Sequence, residues 1–285
     1  MPTPLPELPI RLLTRDDLSA CADLSESRGW HREEHKWGLL LAAGTGYGID
    51  SPAGKGLAAV CVVTSYGREL AALGMMLVAE EYARRGLGRR MMRQVLTEAG
   101  DTPMSLYATR FGRPLYEGLG FTSTGRAEMV RGSLRPPDPG AGTSAIRPAT
   151  AEDLPAIIRL DTEVFGADRT HVLTRLPAFA DHIRVAEENG ELTGYAAAWP
   201  NTDSQVIGPL IARDSGTAQA LITALAAGTD RPLRTDIDIR HRELLAWVKE
   251  HGMETIAVTE MMIHSADDFP GDWRRRFAPL TVAAG

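Results

Sequence analysis

Apolar positions alternate with polar ones in some stretches of the chain and recur every three to four residues in others, which predicts strands and helices respectively. In the first half, the pattern predicts strands at about 10–13, 46–50, 57–65, 69–79 and 104–109 and from 121, with helices at about 15–28, 32–43, 87–99 and 112–119. In the second half, it predicts strands near 182–187, 192–200, 205–213, 233–238 and 254–263, with helices at about 215–227 and 241–250. Strand hairpins mixed with crossover helices predict an α/β (α+β) fold class, with mixed, mostly antiparallel sheets flanked by helices.

The chain begins its second half with the same pattern as its first. Ile10–Leu18 and Ile146–Leu154 each read as a short strand followed by the start of a helix. Thr14 and Thr150 are the N-cap candidates, and acidic residues follow each of them within the first turn. Threonine at the cap and carboxylates in the first turn are typical of a helix N-terminus. The simplest explanation is two copies of one fold.

A segment rich in proline and glycine separates the two copies. Residues 132–144 show no apolar periodicity, which is typical of a linker. We therefore predict a first domain over residues 1–131, a linker over 132–144 and a second domain over 145–285.

Composition limits the class of protein. The chain has 285 residues, 44% of them apolar and 24% charged, as in ordinary globular proteins. Apolar runs are far shorter than the ~18 residues that cross a bilayer, and the start of the chain does not resemble a secretory signal. Two cysteines cannot form a disulfide framework, so we expect a cytoplasmic location. Only three of 31 basic residues are lysines, which indicates a GC-rich, bacterial genome.

The charge is distributed unevenly between the halves. Residues 1–140 carry 17 basic and 16 acidic side chains, whereas residues 141–285 carry 14 and 21. This balance argues against nucleic acid as a partner, because neutralising phosphates requires a basic surface. An acidic half would instead attract a cationic small molecule.

The clearest chemical signal is a glycine-rich turn after an apolar strand. The strand ends near Ala79, and a helix begins at Gly86-Leu87-Gly88. Glycines let the backbone approach a ligand closely, and the free N–H groups of a helix N-terminus attract anions. Four arginines surround this end of the helix: Arg84, Arg85, Arg89 and Arg90. Cations here oppose the helix dipole unless an anion is bound. We predict a pyrophosphate site rather than a solvated basic face.

This turn resembles the signature of the GNAT superfamily of acyl-CoA-dependent N-acetyltransferases, Gln/Arg-x-x-Gly-x-Gly/Ala after the fourth strand. Residues 83–88 match it except at the first position, where Ala83 replaces Gln or Arg. The resemblance implies that backbone amides hold the pyrophosphate of acetyl-CoA. It assigns donor binding to Met76, Leu77, Val78, Arg84, Arg85, Gly86, Leu87, Gly88 and Arg89.

A second motif resembles the same superfamily. Residues 115–121, Leu-Tyr-Glu-Gly-Leu-Gly-Phe, match its Leu-Tyr-x-x-x-Gly-Phe segment. In such enzymes the tyrosine protonates the departing thiolate, which implies that Tyr116 is a general acid. A tyrosine with a pKa near 10 is protonated at neutral pH and suits that role. The alternative is a tyrosine that only packs on an amphipathic helix.

The resemblance implies direct attack of an amine on the thioester, with backbone N–H groups near Met76–Val78 as the oxyanion hole. A general base is harder to place, because no acidic residue occurs from Leu70 to Ala79. The base comes from elsewhere, acts through water, or is not needed for an amine of low pKa. The candidates are Glu33, Glu34, His35 and Glu69.

Two histidines four residues apart raise the question of a metal. His31 and His35 would share one face of a helix, but Arg32 stands where a zinc protease requires glutamate, which favours a surface or substrate-facing helix. No third ligand is evident, so we expect no metal site.

The second copy lacks the donor motif. Val206–Ile222 occupies the place of the strand, turn and helix without Gly-x-Gly or an arginine cluster. Asp214 stands where the phosphate would lie and would repel it, although Asp214 or Ser215 also suits an N-cap. This half resembles the C-terminal domain of tandem GNAT proteins, which implies a degenerate copy. Four acids are either solvated or part of an acceptor site near the domain interface: Asp161, Asp168, Asp236 and Asp238.

We expect a tandem GNAT protein with an active first copy that transfers an acetyl group from acetyl-CoA to a primary amine, most simply of a small molecule. A protein lysine as acceptor and another acyl-CoA as donor stay open. Two other functions also stay open. One is a non-catalytic acyl-CoA sensor. The other is an acyltransferase that uses aminoacyl-tRNA, and the acidic second half disfavours this one. We expect no membrane partner, and either a monomer or a homodimer.

Overall fold

The computed structural model describes residues 8–135 and 145–285. The strands are β1 (Arg11–Leu13), β2 (Thr45–Asp50), β3 (Leu57–Tyr66), β4 (Leu70–Val78), β5 (Met104–Ala108), β6 (Thr122–Gly132), β7 (Ala145–Pro148), β8 (His182–Glu188), β9 (Glu191–Pro200), β10 (Gln205–Ala212), β11 (Leu233–Asp238), β12 (Met253–His264) and β13 (Arg276–Ala278). The helices are α1 (Leu18–Ser27), α2 (Glu34–Ala43), α3 (Leu87–Ala99), α4 (Arg113–Glu117), α5 (Leu154–Phe165), α6 (Thr170–Leu173), α7 (Leu176–Phe179), α8 (Ser215–Ala226) and α9 (Arg242–Glu250). Within these described residues, no helix is both long and apolar enough to span a membrane.

The fold class predicted from the sequence is confirmed, and the two copies open alike. A single turn of 3₁₀ helix leads into α1 and another into α5. The N–H of Thr14 donates to the carboxylate of Asp17 at 2.9 Å, and that of Thr150 donates to Asp153 at 2.7 Å. Each pair forms a capping box, the arrangement that satisfies the free N–H groups at a helix start.

Both copies contribute to one sheet, which the sequence did not predict. The strand order is β1-β2-β3-β4-β5-β12-β6-β11-β10-β9-β8-β7, and β13 pairs with β10 outside this path. The last strand of the first copy, β6, pairs with β11 of the second, while β12 pairs with β5 of the first. The two copies have thus exchanged their final strands, and β6 and β12 lie side by side at the centre.

The helices cover the two faces of this sheet. Buried side chains of α3 and α4 pack on one face of the first copy, and those of α8 and α9 pack on one face of the second. Helices α1 and α2 cover the opposite face of the first copy. The cluster that contains α5, α6 and α7 also contains Tyr66, Leu70 and Ala72 of the first copy. The copies therefore share a hydrophobic core as well as a sheet.

One predicted element begins later than expected. Helix α2 starts at Glu34 rather than near residue 32, since Gly29 and Glu33 both have positive φ and interrupt the helical path. His31 lies in this connection and His35 lies in the helix, so the prediction that they share one helix face is wrong.

Candidate functional site

The centre of the first copy is a bulge in β4 beside an opening in the sheet. Met75 and Met76 together lie opposite the single residue Cys61 of β3, and Met75 has a φ of 53°. A bulge of this kind bends the strand and leaves backbone groups unpaired. On its other side, β4 pairs with β5 only at Ala71 and Ala72. Beyond these two residues the parallel strands separate and leave a slot.

The direction of the backbone N–H groups along β4 follows from its pairing. Ala79 donates its N–H to the carbonyl of Ala58 in β3 at 2.9 Å. Because N–H groups alternate in direction along a strand, Val78 and Met76 point theirs toward the slot. Leu77 points its N–H toward β3 and buries its side chain under α1 and α2.

The glycine-rich turn lies at the open end of this slot. Gly86 is the residue before α3 and has a φ of 88°, and no side chain caps the helix. A Cβ atom added to Gly86 would meet no other heavy atom within 4 Å, so there is open space beside this residue. Arg84, Arg85 and Arg89 are exposed around this space. This turn, called the cradle below, combines the free N–H groups of a helix start with positive charge.

Gly88 and Leu87 connect the cradle to the sheet. Leu87 is buried in the α3 side of the core. A Cβ added to Gly88 would make ordinary contacts, at 3.4 Å with the side chain of Leu115 and at 3.6 Å with that of Val78. The start of α3 thus packs directly on the end of β4 and on α4.

Tyr116 reaches the same region from α4. It is 7% exposed and packs edge-to-face against Phe121, with ring centroids 5.8 Å apart. Burial, and secondly the thiol of Cys61, raise the pKa of Tyr116 well above its ordinary value, so the hydroxyl is protonated at neutral pH. Cys61 lies opposite the bulge and belongs to the same buried cluster as Tyr116.

The four candidate bases lie in different environments. Glu69 is exposed in the turn between β3 and β4, at the opposite end of β4 from the cradle. Glu34 is exposed and contacts Arg32 at 2.9 Å. His35 stacks on Phe179, and its Nε2 lies 2.7 Å from the Phe179 carbonyl oxygen. None of these contacts directs the side chains of Glu69, Glu34 or His35 into the slot.

Glu33 belongs to a buried ionic cluster between the two copies. Its carboxylate pairs with Lys36 and lies 3.3 Å from Arg234 of β11. Burial alone would raise the pKa of Glu33, but the two cations outweigh it and lower this pKa. Asp236, on the same strand as Arg234, is buried, and its Oδ1 has no hydrogen-bond partner. Burial raises the pKa of Asp236.

The other three acids of the second copy have structural partners. Asp161 is fully buried and binds Arg169 through two hydrogen bonds of 2.9 and 2.5 Å. Asp168 accepts a hydrogen bond from the N–H of Thr170 at 2.7 Å, at the start of α6. Asp238 pairs with Arg240.

The second copy has a bulge and a slot at the same place, but the slot is filled. Gly208 and Pro209 of β10 lie opposite Ala197, and β10 pairs with β11 only at Gln205 and Val206. Where these strands separate, β13 pairs with β10. The N–H of Ala212 also donates to the carbonyl of Arg275 at 3.0 Å.

The start of α8 is also occupied, whereas the cradle of the first copy is open. Asp214 is the N-cap, and its Oδ1 accepts a hydrogen bond from the N–H of Thr217 at 2.8 Å. This bond lowers the pKa of Asp214 and keeps a negative charge where the first copy offers free N–H groups. Within residues 8–135 and 145–285, no group of three or more His, Cys, Asp or Glu side chains is arranged around a common metal position.

Comparisons with known proteins agree with this geometry. Two family models described as acetyltransferase (GNAT) domains match residues 56–135 and 157–278. The chain is 29% identical over 271 residues to the uncharacterised N-acetyltransferase YitH of Bacillus subtilis, covering 94% of this chain and 92% of that protein. A solved structure of a candidate acetyltransferase from Pyrococcus horikoshii is similar with a TM-score of 0.81 and 18% identity, over 99% of this chain and 97% of the other. A tandem GNAT protein from the clavulanic acid biosynthesis pathway has a TM-score of 0.64 and 14% identity, over 92% and 100% of the two chains.

The fold and the family matches thus define an acyltransferase. The chain belongs to the GNAT acetyltransferase superfamily and contains two GNAT domains in tandem.

Sequence reasoning missed two features of the site. β13 and the residues after it show no donor motif, so nothing marked them as neighbours of either slot. The cluster of Glu33, Lys36, Arg234 and Asp236 is assembled from distant parts of the chain. The one available signal was Lys36, because a lysine within an apolar helix requires a buried partner.

Proposed function

We propose that the first copy is an acetyl-CoA-dependent N-acetyltransferase that transfers an acetyl group to a primary amine of a small molecule. One observation carries this proposal: in the first copy an open slot, a strand bulge, a glycine cradle and a buried tyrosine meet at one place. The family makes acyl transfer the expected reaction, and these residues suit its steps.

The cradle suits the pyrophosphate of the donor. The N–H groups of Leu87, Gly88 and Arg89 begin α3 without partners in the helix, and Arg84 and Arg85 add positive charge beside them. A dianion in this place interacts favourably with both the helix dipole and the arginines. The open space at Gly86 is the room that such a group needs.

The slot suits the chemical step. The amine nitrogen attacks the carbonyl carbon of the thioester, and the N–H groups of Met76 and Val78 donate to the oxygen that becomes negative. When the C–S bond breaks, Tyr116 gives its proton to the leaving sulfur, and the amide nitrogen releases a proton to water, from which Tyr116 is reprotonated. Burial raises the pKa of Tyr116, so its hydroxyl holds its proton at neutral pH until the thiolate leaves.

The second copy is proposed to be degenerate. β13 fills its slot, and the carboxylate of Asp214 repels a phosphate at the start of α8. We therefore propose one active domain over 1–131 and one inactive domain over 145–285, with the linker at 132–144, of which residues 136–144 lie outside the described part. A cytoplasmic location, a bacterial source, and a monomer or homodimer without nucleic acid are part of the same proposal.

Calorimetric titration of acetyl-CoA into the purified protein, followed by a panel of primary amines with detection of released CoA, tests the proposal. We expect one donor site per chain and turnover with at least one amine. Two sites would contradict the degenerate second copy. Binding without turnover would favour an acyl-CoA sensor, and a folded protein that does not bind acetyl-CoA would overturn the assignment of the donor.

A further inference from the structure

The turn between β5 and α4 lies at the same edge of the sheet as the cradle. Because β4 and β5 are parallel, their last residues, Val78 and Ala108, both border one end of the slot, called its mouth below. Residues 109–112 follow β5 directly and lead into α4. The mouth therefore has the cradle on its β4 side and this turn on its β5 side.

The backbone of this turn is held in place by local contacts. The carbonyl of Thr109 accepts a hydrogen bond from the N–H of Gly112 at 3.0 Å. A Cβ atom added to Gly112 would lie 3.1 Å from Cε2 of Tyr116, so the turn packs against the ring of the proposed general acid. The two residues in the middle of the turn, Arg110 and Phe111, are thus held at the mouth.

Phe111 is directed into solvent rather than into the core. It is 83% exposed, the largest value among the exposed large apolar side chains in the part of the chain that the structure describes. The guanidinium carbon of Arg110 lies 4.8 Å from the centre of its ring. A cation at this distance is attracted to the face of an aromatic ring. Arg110 and Phe111 therefore form an exposed pair of a cation and a flat ring.

Positive charge lies on both sides of the mouth. Arg84 and Arg89 are exposed beside the cradle, and Arg110 is exposed on the β5 side. Acyl-CoA carries two separate anionic groups, a pyrophosphate and a phosphate on the 3′ oxygen of its ribose, with a flat adenine ring on the same ribose. Arginine binds phosphate oxygens, and aromatic side chains stack on bases. The exposed pair therefore matches the part of acyl-CoA that the cradle does not bind.

The turn is also close enough to the cradle for one nucleotide to contact both. A Cβ atom added to Gly88 would lie 3.4 Å from the side chain of Leu115 in α4. Phe111 precedes Leu115 by four residues, so their Cα atoms are at most about 14 Å apart. The ribose and the adenine are attached directly to the pyrophosphate, so they lie next to the cradle when the pyrophosphate binds there.

Resting on the function proposed above, we propose that Arg110 and Phe111 form a nucleotide subsite, in which the adenine of the donor stacks on Phe111 and its 3′-phosphate pairs with Arg110. The subsite selects acyl-CoA over acyl thioesters of phosphopantetheine, which have the same reactive arm but no adenosine 3′-phosphate. Stacking contributes to the affinity for any donor that has the base, whereas the ion pair contributes only when the 3′-phosphate is present.

The test measures the Kd of three donors by calorimetry, with competition against acetyl-CoA for weak binding: acetyl-CoA, acetyl-3′-dephospho-CoA and S-acetyl-4′-phosphopantetheine. The variants are Phe111→Ala, Phe111→Trp and Arg110→Ala. Leu12→Ala and Arg159→Ala are the matched controls, because both side chains are exposed and lie away from the mouth, in β1 and α5. The Tm of each variant checks that it is folded.

We expect Phe111→Ala to raise the Kd of acetyl-CoA and of its 3′-dephospho form about tenfold, equivalent to about 1.4 kcal/mol, since each loses the stacked base. The wild-type protein should bind S-acetyl-4′-phosphopantetheine at least about tenfold more weakly than acetyl-CoA, and Phe111→Ala should not weaken it further. Phe111→Trp should bind all three donors as wild type does, because an indole ring also stacks. Arg110→Ala should raise the Kd of acetyl-CoA about threefold and leave that of the 3′-dephospho form unchanged.

The outcomes separate this proposal from the function on which it rests. A folded wild-type protein that does not bind acetyl-CoA overturns both. An equal loss of S-acetyl-4′-phosphopantetheine binding in Phe111→Ala would assign the ring to the pantetheine arm and overturn the nucleotide subsite. An unchanged Kd in folded Phe111→Ala, or an equal loss in Leu12→Ala, also overturns the subsite while the acetyltransferase proposal stands.

Discussion

The two copies are built alike where they begin and differently where a donor would bind. Arg11 and Asp17 of the first copy correspond to Arg147 and Asp153 of the second, and each arginine holds its carboxylate by two hydrogen bonds. At the slot, in contrast, the first copy separates β4 from β5, whereas the second places β13 beside β10.

This difference shows that one fold can contain either an open or a filled slot. A slot in a sheet exposes unpaired backbone groups, which are costly when they are buried without partners. The second copy satisfies part of β10 with its own backbone at Leu210, Ile211 and Ala212. In the described part of the first copy, β5 pairs with β4 only at Ala71 and Ala72, so the corresponding part of β4 has no strand on this side. The two copies therefore differ at the gap between their separated strands, which is open in the first copy and filled in the second.

The largest effect is expected for Tyr116→Phe, which tests whether the open slot of the first copy carries out the reaction. If Tyr116 is the general acid, the substitution lowers kcat about 10²- to 10⁴-fold, the usual contribution of a positioned acid. The Kd for acetyl-CoA should stay within about twofold, because the phosphate cradle is untouched. Steady-state kinetics with the best amine of the panel, together with calorimetry, measure both effects.

The matched control is Tyr82→Phe. Tyr82 is 7% exposed in the same core, and its hydroxyl lies 3.1 Å from that of Ser51. Its loss should cost about 1 kcal/mol of stability and leave kcat unchanged. A wild-type rate in Tyr116→Phe would assign Tyr116 to packing alone.

The second test addresses the buried ion pair of the second copy. Asp161→Asn leaves Arg169 charged, buried and without its carboxylate, which typically costs about 3–5 kcal/mol. Denaturant unfolding measures this loss. Asp23→Asn is the control, because Asp23 pairs with Arg32 at an exposed position and should cost less than about 1 kcal/mol. Equal losses for the two variants would contradict a structural role for the buried pair.

Local patterns were sufficient to predict most elements of both copies. The glycine turn at 86–88 and the capping threonines, Thr14 and Thr150, are signals that neighbouring residues determine, and the structure has each of them in the expected place. The exchange of β6 and β12 was not predictable, because the alternation of apolar residues specifies a strand but not its partner.

The sequence predicted only part of the site, for the same reason: local patterns do not specify contacts between distant residues. The cradle follows from a short sequence, and so it was predicted with its arginines. The filling of the second slot depends on β13, three residues that have no periodicity of their own. The close contact between Gly74 and Ala283 joins residues that are distant in sequence, and only the folded chain brings them together.

The third test exchanges glycine for glutamate at the start of α3 and of α8. Gly86→Glu places a side chain at a φ of 88°, which is strained, and a carboxylate in the cradle, which repels phosphate. We expect the Kd for acetyl-CoA to rise about 100-fold, equivalent to about 2.7 kcal/mol. Gly216→Glu, in the first turn of α8, should not change this Kd. An effect of Gly216→Glu as large as that of Gly86→Glu would show that the second copy binds the donor.

The smallest expected effects come from the capping acids, where the two copies are alike. Asp17→Asn and Asp153→Asn each remove a carboxylate that holds both a backbone N–H and an arginine, so each should cost about 1–2 kcal/mol at neutral pH. Hydrogen bonds from Arg11 and Arg147 lower the pKa of these two acids in the folded protein. Their stabilisation is therefore present above the unfolded pKa of about 3.9 and is lost as the pH falls through the lower folded pKa.

Melting curves between pH 7 and pH 2 check this prediction. The difference in Tm between wild type and each variant should shrink as the pH falls below about 4. Because the copies share one sheet and one core, both variants should shift the same single transition. Two separate transitions, each moved by one variant only, would show that the copies unfold independently despite their exchanged strands.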